Sequence, residues 1–312
     1  MQSIGIFATP GKERVPDLLH RLIALAEARG ISLLIERENA LQIGREDLGD
    51  DEDNLARCDA IIVLGGDGAV LGAARAAAPY RTPVLAVDLG RLGFLSAVRP
   101  EHIEDAFDLL VRDGFEIEER MMLDARVLRG QTPSGKRQTS EVAQPLANRH
   151  SSFPTDVGGG IGLNDAVVAK SAIARILRLS IFVEGDQVAE LRADGLIIST
   201  PTGSTAYALA AGGPIVHPGV PLLLVCPICA HSLTQRPFIV GPNEVLEVHA
   251  DWEGDEVAPG ELEAMLTIDG QVGVVLQPGD MVRVRRSEHK ARLLRRPSES
   301  FYDRLRQKMS WE

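Results

Sequence analysis

Two short stretches of the chain carry residue types that could do chemistry. The first is Gly65-Gly66-Asp67-Gly68. Glycines let a phosphate approach the backbone closely, and the free N–H groups at a helix start attract an anion. Asp67 is the odd member, because a carboxylate repels phosphates. It could cap the helix, hold the Mg²⁺ that comes with ATP, or take the proton of an attacking hydroxyl. The spacing is neither GxGxxG nor GxxxxGK[ST]. The second stretch is Ser199-Thr200-Pro201-Thr202-Gly203-Ser204-Thr205, in which five of seven residues carry hydroxyls. Such a loop can bind ribose, amide or phosphate groups, or it can cap itself. Pro201 and Gly203 fix it tightly, which favours binding. Tyr207 adds a flat face for an aromatic base.

These stretches need elements to position them. Ser3–Ala8 reads as a strand, and Val15–Arg29 carries apolar residues at helical spacing up to a stop at Gly30. Ile31–Ile35 is a second strand, and acidic Glu46–Asp53 reads as a solvated connection. Asp59–Leu64 is an unbroken apolar strand, as central parallel strands are, and it runs into Gly65 ahead of an Ala-rich helix. Pro83–Val87 and Ile103–Arg112 complete an alternation that implies an α/β domain with a doubly wound parallel sheet. From about Phe115 the segments become short and β-branched, which implies a β-rich second domain. The expected division is 1–115, joined by the tail 290–312, and 116–289. Gly130–Gly160 reads as a long loop, and the amphipathic tail after Ser300 is expected to dock on the first domain.

The 312 residues suggest two domains, and the net charge of -11 argues against nucleic acid or an anionic membrane as partner. No apolar run approaches a membrane span and no signal peptide is evident, so a cytoplasmic protein is expected. Three cysteines fit a reducing compartment. Cys226-Pro227-Ile228-Cys229 has CxxC spacing but no second half-site, and reads as a pair of inert buried residues.

With both stretches in view, the sequence resembles the bacterial NAD kinases. GGDG at Gly65, DLGRLGFLS at Asp88 and LNDAVV at Leu163 follow family blocks. So do DGLIISTPTGSTAYALAAGGPIVHP at Asp194, IDGQ at Ile268 and the FY..LR.K tail. The resemblance implies an NAD kinase-like two-domain fold with the site in a cleft between the domains. It implies phosphoryl transfer from ATP or polyphosphate to the adenosine-ribose 2′-hydroxyl of NAD, with Mg²⁺ or another divalent cation accompanying ATP and no fixed protein metal site.

By the same resemblance, Asp67 is the general base, and Gly65, Gly66 and Gly68 receive phosphates. Asn164 and Asp165 match a pair that binds ribose hydroxyls. Arg175, Arg192 and Asp194 fall at dinucleotide contacts. Thr205, Ala206, Tyr207 and Ala210 match the loop lining the adenine and nicotinamide sites, and Gln271 follows at a further contact. NAD and ATP are the implied substrates, and a homodimer or homotetramer, sometimes with site residues donated across an interface, is the implied assembly. The chain departs from the family pattern at Ala69 (usually Thr), Asp88 (usually Asn, so an extra carboxylate near the cleft) and Ala210 (usually Ser). A GGDG lipid kinase and a non-enzymatic dinucleotide sensor are the rival readings.

Overall fold

The computed structural model describes residues 1–90, 93–130, 155–170, 176–232, 234–251, 264–277, 279–297 and 300–311. The chain divides into two compact units, Met1–Met121 with Glu288–Glu312, and Met122–Ser287.

The first unit is α/β. Its elements are β1 (Ser3–Ala8), α1 (Val15–Glu27), β2 (Ser32–Glu36), α2 (Arg37–Gln42), β3 (Gly49–Asp50), α3 (Glu52–Ala56), β4 (Ala60–Gly65), α4 (Asp67–Ala77), β5 (Pro83–Asp88) and α5 (Ile103–Val111). The acidic stretch expected to be a plain connection therefore holds a short strand and a helix. Asp51 makes that helix possible, since its carboxylate accepts the N–H of Asn54. The strands are all parallel, in the order β3-β2-β1-β4-β5.

Every residue of β4 is buried, which is why it shows no alternation. The apolar stripe of α1 (Val15, Leu18, Leu19, Leu22, Ile23, Ala26) packs with Phe107 and Leu110 of α5 against Ile4, Ile6, Ile62 and Leu85 of the sheet. Each fully buried side chain of this size contributes roughly 1.5–3 kcal/mol. A Cβ on Gly5 would lie 2.5 Å from the Leu55 carbonyl oxygen, so α3 can seat on β1 only because that residue is glycine. The order reverses between β1 and β4, and the C-terminal strand ends at such a reversal are where open α/β sheets leave a crevice. β4 ends there in the GGDG turn.

The second unit is β-rich. Its elements are β6 (Glu116–Arg129), which begins in the first unit, then β7 (Thr155–Gly162), β8 (Asp165–Lys170), β9 (Leu177–Val183), β10 (Asp186–Ala193), β11 (Gly195–Ser199), α6 (Tyr207–Ala210), β12 (Leu223–Ile228), β13 (Phe238–Val240), β14 (Leu246–Asp251), β15 (Ala264–Ile268) and β16 (Val272–Val275). β17 (Met281–Arg295) starts in this unit and ends in the first, where α7 (Phe301–Met309) also belongs. Six strands form an antiparallel sheet in the order β13-β12-β11-β8-β15-β16.

The loop expected over Gly130–Gly160 gives way to β7 from Thr155, which pairs with β6; residues 131–154 lie outside the described residues. Glycines at 158–160 obscured this strand in the sequence. A Cβ on Gly159 would lie 2.1 Å from the Ala125 carbonyl, which explains why a residue without one stands there.

Candidate active site

The turn after β4 is built for close approach. A Cβ on Gly65 would meet Thr9 Oγ1 at 2.5 Å and Ala69 Cβ at 2.6 Å, so the protein itself demands glycine there. At Gly66 and Gly68 a Cβ would meet nothing within 4 Å. Gly66 is the N-cap of α4 and makes no side-chain cap bond, so Asp67, the first residue of the helix, is not its cap. The Asp67 carboxylate turns instead to the loop after β5. Oδ2 accepts the N–H of Phe94 at 3.0 Å and Oδ1 that of Leu95 at 3.2 Å. A Cβ on Gly93 would lie 1.9 Å from Asp67 Oδ1, so the carboxylate rests on bare backbone.

That loop is held in turn by Asp88. Its Oδ1 accepts the N–H of Gly90 and its Oδ2 that of Gly93, both at 2.9 Å, and Ser96 Oγ lies 3.5 Å from Oδ2. Asp88 is buried. Asp88, expected as an extra carboxylate near the cleft, spends its oxygens on the loop's own N–H groups. An acceptor-only carboxylate suits a ring of donors better than an amide would.

In the second unit, one end of the six-stranded sheet collects most of the remaining candidates. Asp165 pairs with Ser199 in register. Thr200 N–H donates to the Asn164 carbonyl at 2.8 Å, and a Cβ on Gly203 would fall 2.1 Å from that same oxygen. The turn after β15 completes the cluster. The Asp269 carboxylate accepts the N–H groups of Leu163 (2.9 Å), Asn164 (2.7 Å) and Asp165 (3.1 Å), and Asp269 N–H returns a bond to the Asp165 carbonyl. Asp269 stands at φ 51° and Gly270 at φ 64°, a tight turn that leaves Gln271 exposed. Burial, with the nearby Asp269 charge adding to it, pushes the Asp165 carboxyl up to about 7.

The hydroxyl-rich loop corrects the expectation drawn from its composition. Ser199, Thr200, Thr202 and Ser204 are all buried. Thr200 Oγ1 donates to the Leu163 carbonyl at 2.5 Å, and Ser204 Oγ to the Pro201 carbonyl at 2.7 Å. Ser199 Oγ bonds the carbonyls of Asn164 and Thr200. These hydroxyls build the loop. Thr205, Ala206, Tyr207 and Ala210 are the candidates that keep exposure, with Tyr207 47% exposed.

Arg192 and Asp194 stand elsewhere. Gly195 pairs with Ala169 and Ser199 with Asp165, so the two residues precede the far end of β11. At ~3.3 Å per residue, Asp194 and Ser199 are about 16 Å apart. Asp194 forms an ion pair with Lys170 at 2.8 Å, and Arg192 is exposed. Arg175 lies outside the described residues. The CxxC pair is also unlike its expectation: Cys226 is buried but Cys229 is exposed, at φ 47° just past β12.

The family model for the ATP-NAD kinase N-terminal domain matches residues 4–115, and that for the C-terminal domain matches residues 163–296. The curated NAD kinase of Moorella thermoacetica is 37% identical over 309 residues, covering 99% of this chain and 89% of that one. That of Geobacter metallireducens is 38% identical, covering 100% and 99%. The chain belongs to the NAD kinase family. Yeast NADH kinase, solved in complex with NADH, shares the fold with a TM-score of 0.81 at 22% identity, covering 100% of this chain and 88% of that one. An Archaeoglobus fulgidus NAD kinase, solved with ATP, gives 0.69 at 21% identity, covering 99% and 98%.

As an NAD kinase, the chain catalyses the ATP-dependent phosphorylation of NAD to NADP. Two residues that shape these turns carried no sequence expectation of their own. Asp269 lay in the IDGQ block, where only Gln271 was singled out. Gly93 lay in a glycine-punctuated block with no stated task. The usable signal in this NAD kinase was the positive-φ turn implied by Asp-Gly at Asp269.

Proposed function

We propose that Asp67 is the general base that takes the proton from the 2′-hydroxyl of the adenosine ribose as the new bond to phosphorus forms. The observation that carries this reading is the Asp67 carboxylate, held by the Phe94 and Leu95 N–H groups rather than capping α4. Each of its oxygens keeps a lone pair for a third partner. An alcohol is a poor nucleophile at neutral pH, and removing its proton in the transition state gives typically ~10²–10⁴-fold. Alignment of donor and acceptor supplies up to ~7–11 kcal/mol more.

Open space over Gly66 and Gly68, at the positive end of α4, supports phosphate binding there, with Gly65 shaping the turn. Asn164 and Asp165 would hold ribose hydroxyls. No described residue donates to the Asp165 carboxylate, which leaves it open to hydroxyl donors. Thr205, Ala206, Tyr207, Ala210 and Gln271 would line the base sites. The turn offers one carboxylate and backbone N–H groups, a set that suits Mg²⁺ held mainly by ATP phosphates and water. Bound there, the ion would offset charge on the transferring group.

Arg192, Asp194 and Arg175 would act in the site of a second copy, within a homodimer or homotetramer. The separation of Asp194 from the Ser199 end of β11 supports this. The acidic net charge supports small-molecule substrates over nucleic acid, and the low cysteine count supports a cytoplasmic setting. Among the described residues no helix is long and apolar enough to cross a membrane.

NADP formation from ATP and NAD, coupled to an NADP-specific dehydrogenase, tests the assignments. Asp67→Asn should bind NAD but lose more than ~100-fold in turnover, and wild-type turnover would remove the base. Asn164→Ala should weaken NAD binding, and an unchanged dissociation constant would remove that contact. Mixing Asp67→Asn with Asp194→Ala subunits should restore activity if sites are shared between copies. A mixture no more active than its parts would refute the sharing.

A further inference from the structure

The C-terminal helix α7 opens with a capping box. Ser300 Oγ accepts the N–H of Asp303 at 3.1 Å, and the Asp303 carboxylate accepts the N–H of Ser300 at 3.1 Å. This fixes the first turn, and with it the direction of Arg304. A guanidinium normally faces water, but Arg304 is only 4% exposed. Its surroundings are partly like-charged. Burial lowers the affinity of neighbouring Arg120 for its proton; Glu118 opposes this, and the charges of Arg304 and Arg295 add to it. Burying cations together costs stability. Such a position calls for a task.

The hydrogen bonds supply one. Arg304 Nη1 donates to the Phe94 carbonyl at 2.8 Å. That carbonyl shares a peptide unit with the Leu95 N–H, which donates to Asp67 Oδ1. A cation on the oxygen of a peptide draws electron density across the plane and strengthens the donor on its other side. Phe94's own N–H holds Asp67 Oδ2, and Lys308, one turn further along α7, lies 5.8 Å above the Phe94 ring. The tail thus grips Phe94 at carbonyl and ring, and the N–H groups of Phe94 and Leu95, from two successive peptides, hold the two oxygens of Asp67.

We infer that Arg304 is a positioning residue for phosphoryl transfer, aiming the free lone pairs of Asp67 through the Phe94–Leu95 peptide. The inference rests on Asp67 being the base. A carboxylate fixed at both oxygens presents its remaining lone pairs in one direction. Released from one donor, it swings about its Cβ–Cγ bond and meets the hydroxyl in few of its orientations. A misplacement of ~1 Å can cost on the order of 100-fold.

The test is a double-mutant cycle in the coupled NADP assay on the full-length protein. Arg304→Met should lower kcat by about 10–100-fold while KM for NAD stays within about twofold. Arg304→Lys, which keeps the charge and one donor, should recover part of the loss. In an Asp67→Asn background, Arg304→Met should change kcat by less than about twofold, because the two act as one unit. Arg304→Met should keep a cooperative thermal transition well above the assay temperature, which separates positioning from folding. Full kcat in Arg304→Met would overturn the inference, as would an equal loss in both backgrounds or an effect on KM alone. Should Arg304→Met fail to fold, Arg304→Lys in the two Asp67 backgrounds gives the same decision. Wild-type turnover in Asp67→Asn alone would instead show that the base assignment had failed.

Discussion

Replacing Asp165 by Asn should make the protein more stable at pH 8 than at pH 5, relative to the parent. Asp165 is buried beside Asp269, and Asp269 is committed to three backbone N–H groups, for which an ionised, acceptor-only carboxylate is the matching form. The fold therefore disfavours a charge on Asp165, whose carboxyl is pushed up from 3.8 to about 7. The unfolded chain loses this proton near 3.8, so between the two values folding takes up a proton. Wild-type stability falls as pH rises from about 4 through about 7, and is level above. At 1.36 kcal/mol per pKa unit the full penalty is about 4 kcal/mol. Relaxation and water entry reduce such penalties, leaving roughly 2–4 kcal/mol above pH 7.

Asn has nearly the same shape and carries no charge at any pH, so the variant escapes the penalty. Urea unfolding of both proteins at pH 5 and pH 8 reads it out, with the gap expected to widen by about 1–3 kcal/mol toward pH 8. An equal gap at the two pH values would refute the reasoning. The same substitution should weaken NAD binding, because an amide offers a ribose hydroxyl one acceptor oxygen in place of two.

Three further substitutions probe the scaffold of the site. Gly93→Ala would place a Cβ 1.9 Å from Asp67 Oδ1, so kcat should fall at least ~10-fold with the fold intact, and unchanged turnover would show that the carboxylate is free to move. Gly203→Ala would meet the Asn164 carbonyl at 2.1 Å, so the NAD dissociation constant should rise ~10-fold or more in a titration, and parent-like affinity would argue that the loop adapts. Asp88→Asn would turn an amide donor toward the N–H groups of Gly90 or Gly93, and should lower the unfolding free energy by about 1–3 kcal/mol; a neutral result would show that the loop rotates to suit the amide.

The sequence by itself determined the class of chemistry and the elements on which it is mounted. The apolar run Ala60–Leu64 ending in GGDG could only be a buried strand feeding a helix start, and the blocks around it carried the family. These features are contiguous, so one short window contains both the motif and its local geometry. Glu46–Asp53 and Gly158–Gly160 misled for the opposite reason: a charged helix and a glycine strand make sense only beside the residues they pack on. The hydroxyl-rich loop stood out by composition, but composition could not say which way the hydroxyls face.

Only the tertiary structure decided what holds the reactive groups. The Asp67 carboxylate meets backbone donors 27 and 28 positions away, Asn164 is clamped by a carboxylate 105 positions away, and Arg304 reaches Phe94 across 210 positions. The groups that meet these side chains are peptide N–H and C=O groups, which nearly every residue possesses. Residue type does not mark them, and chain folding alone selects which ones converge on a carboxylate.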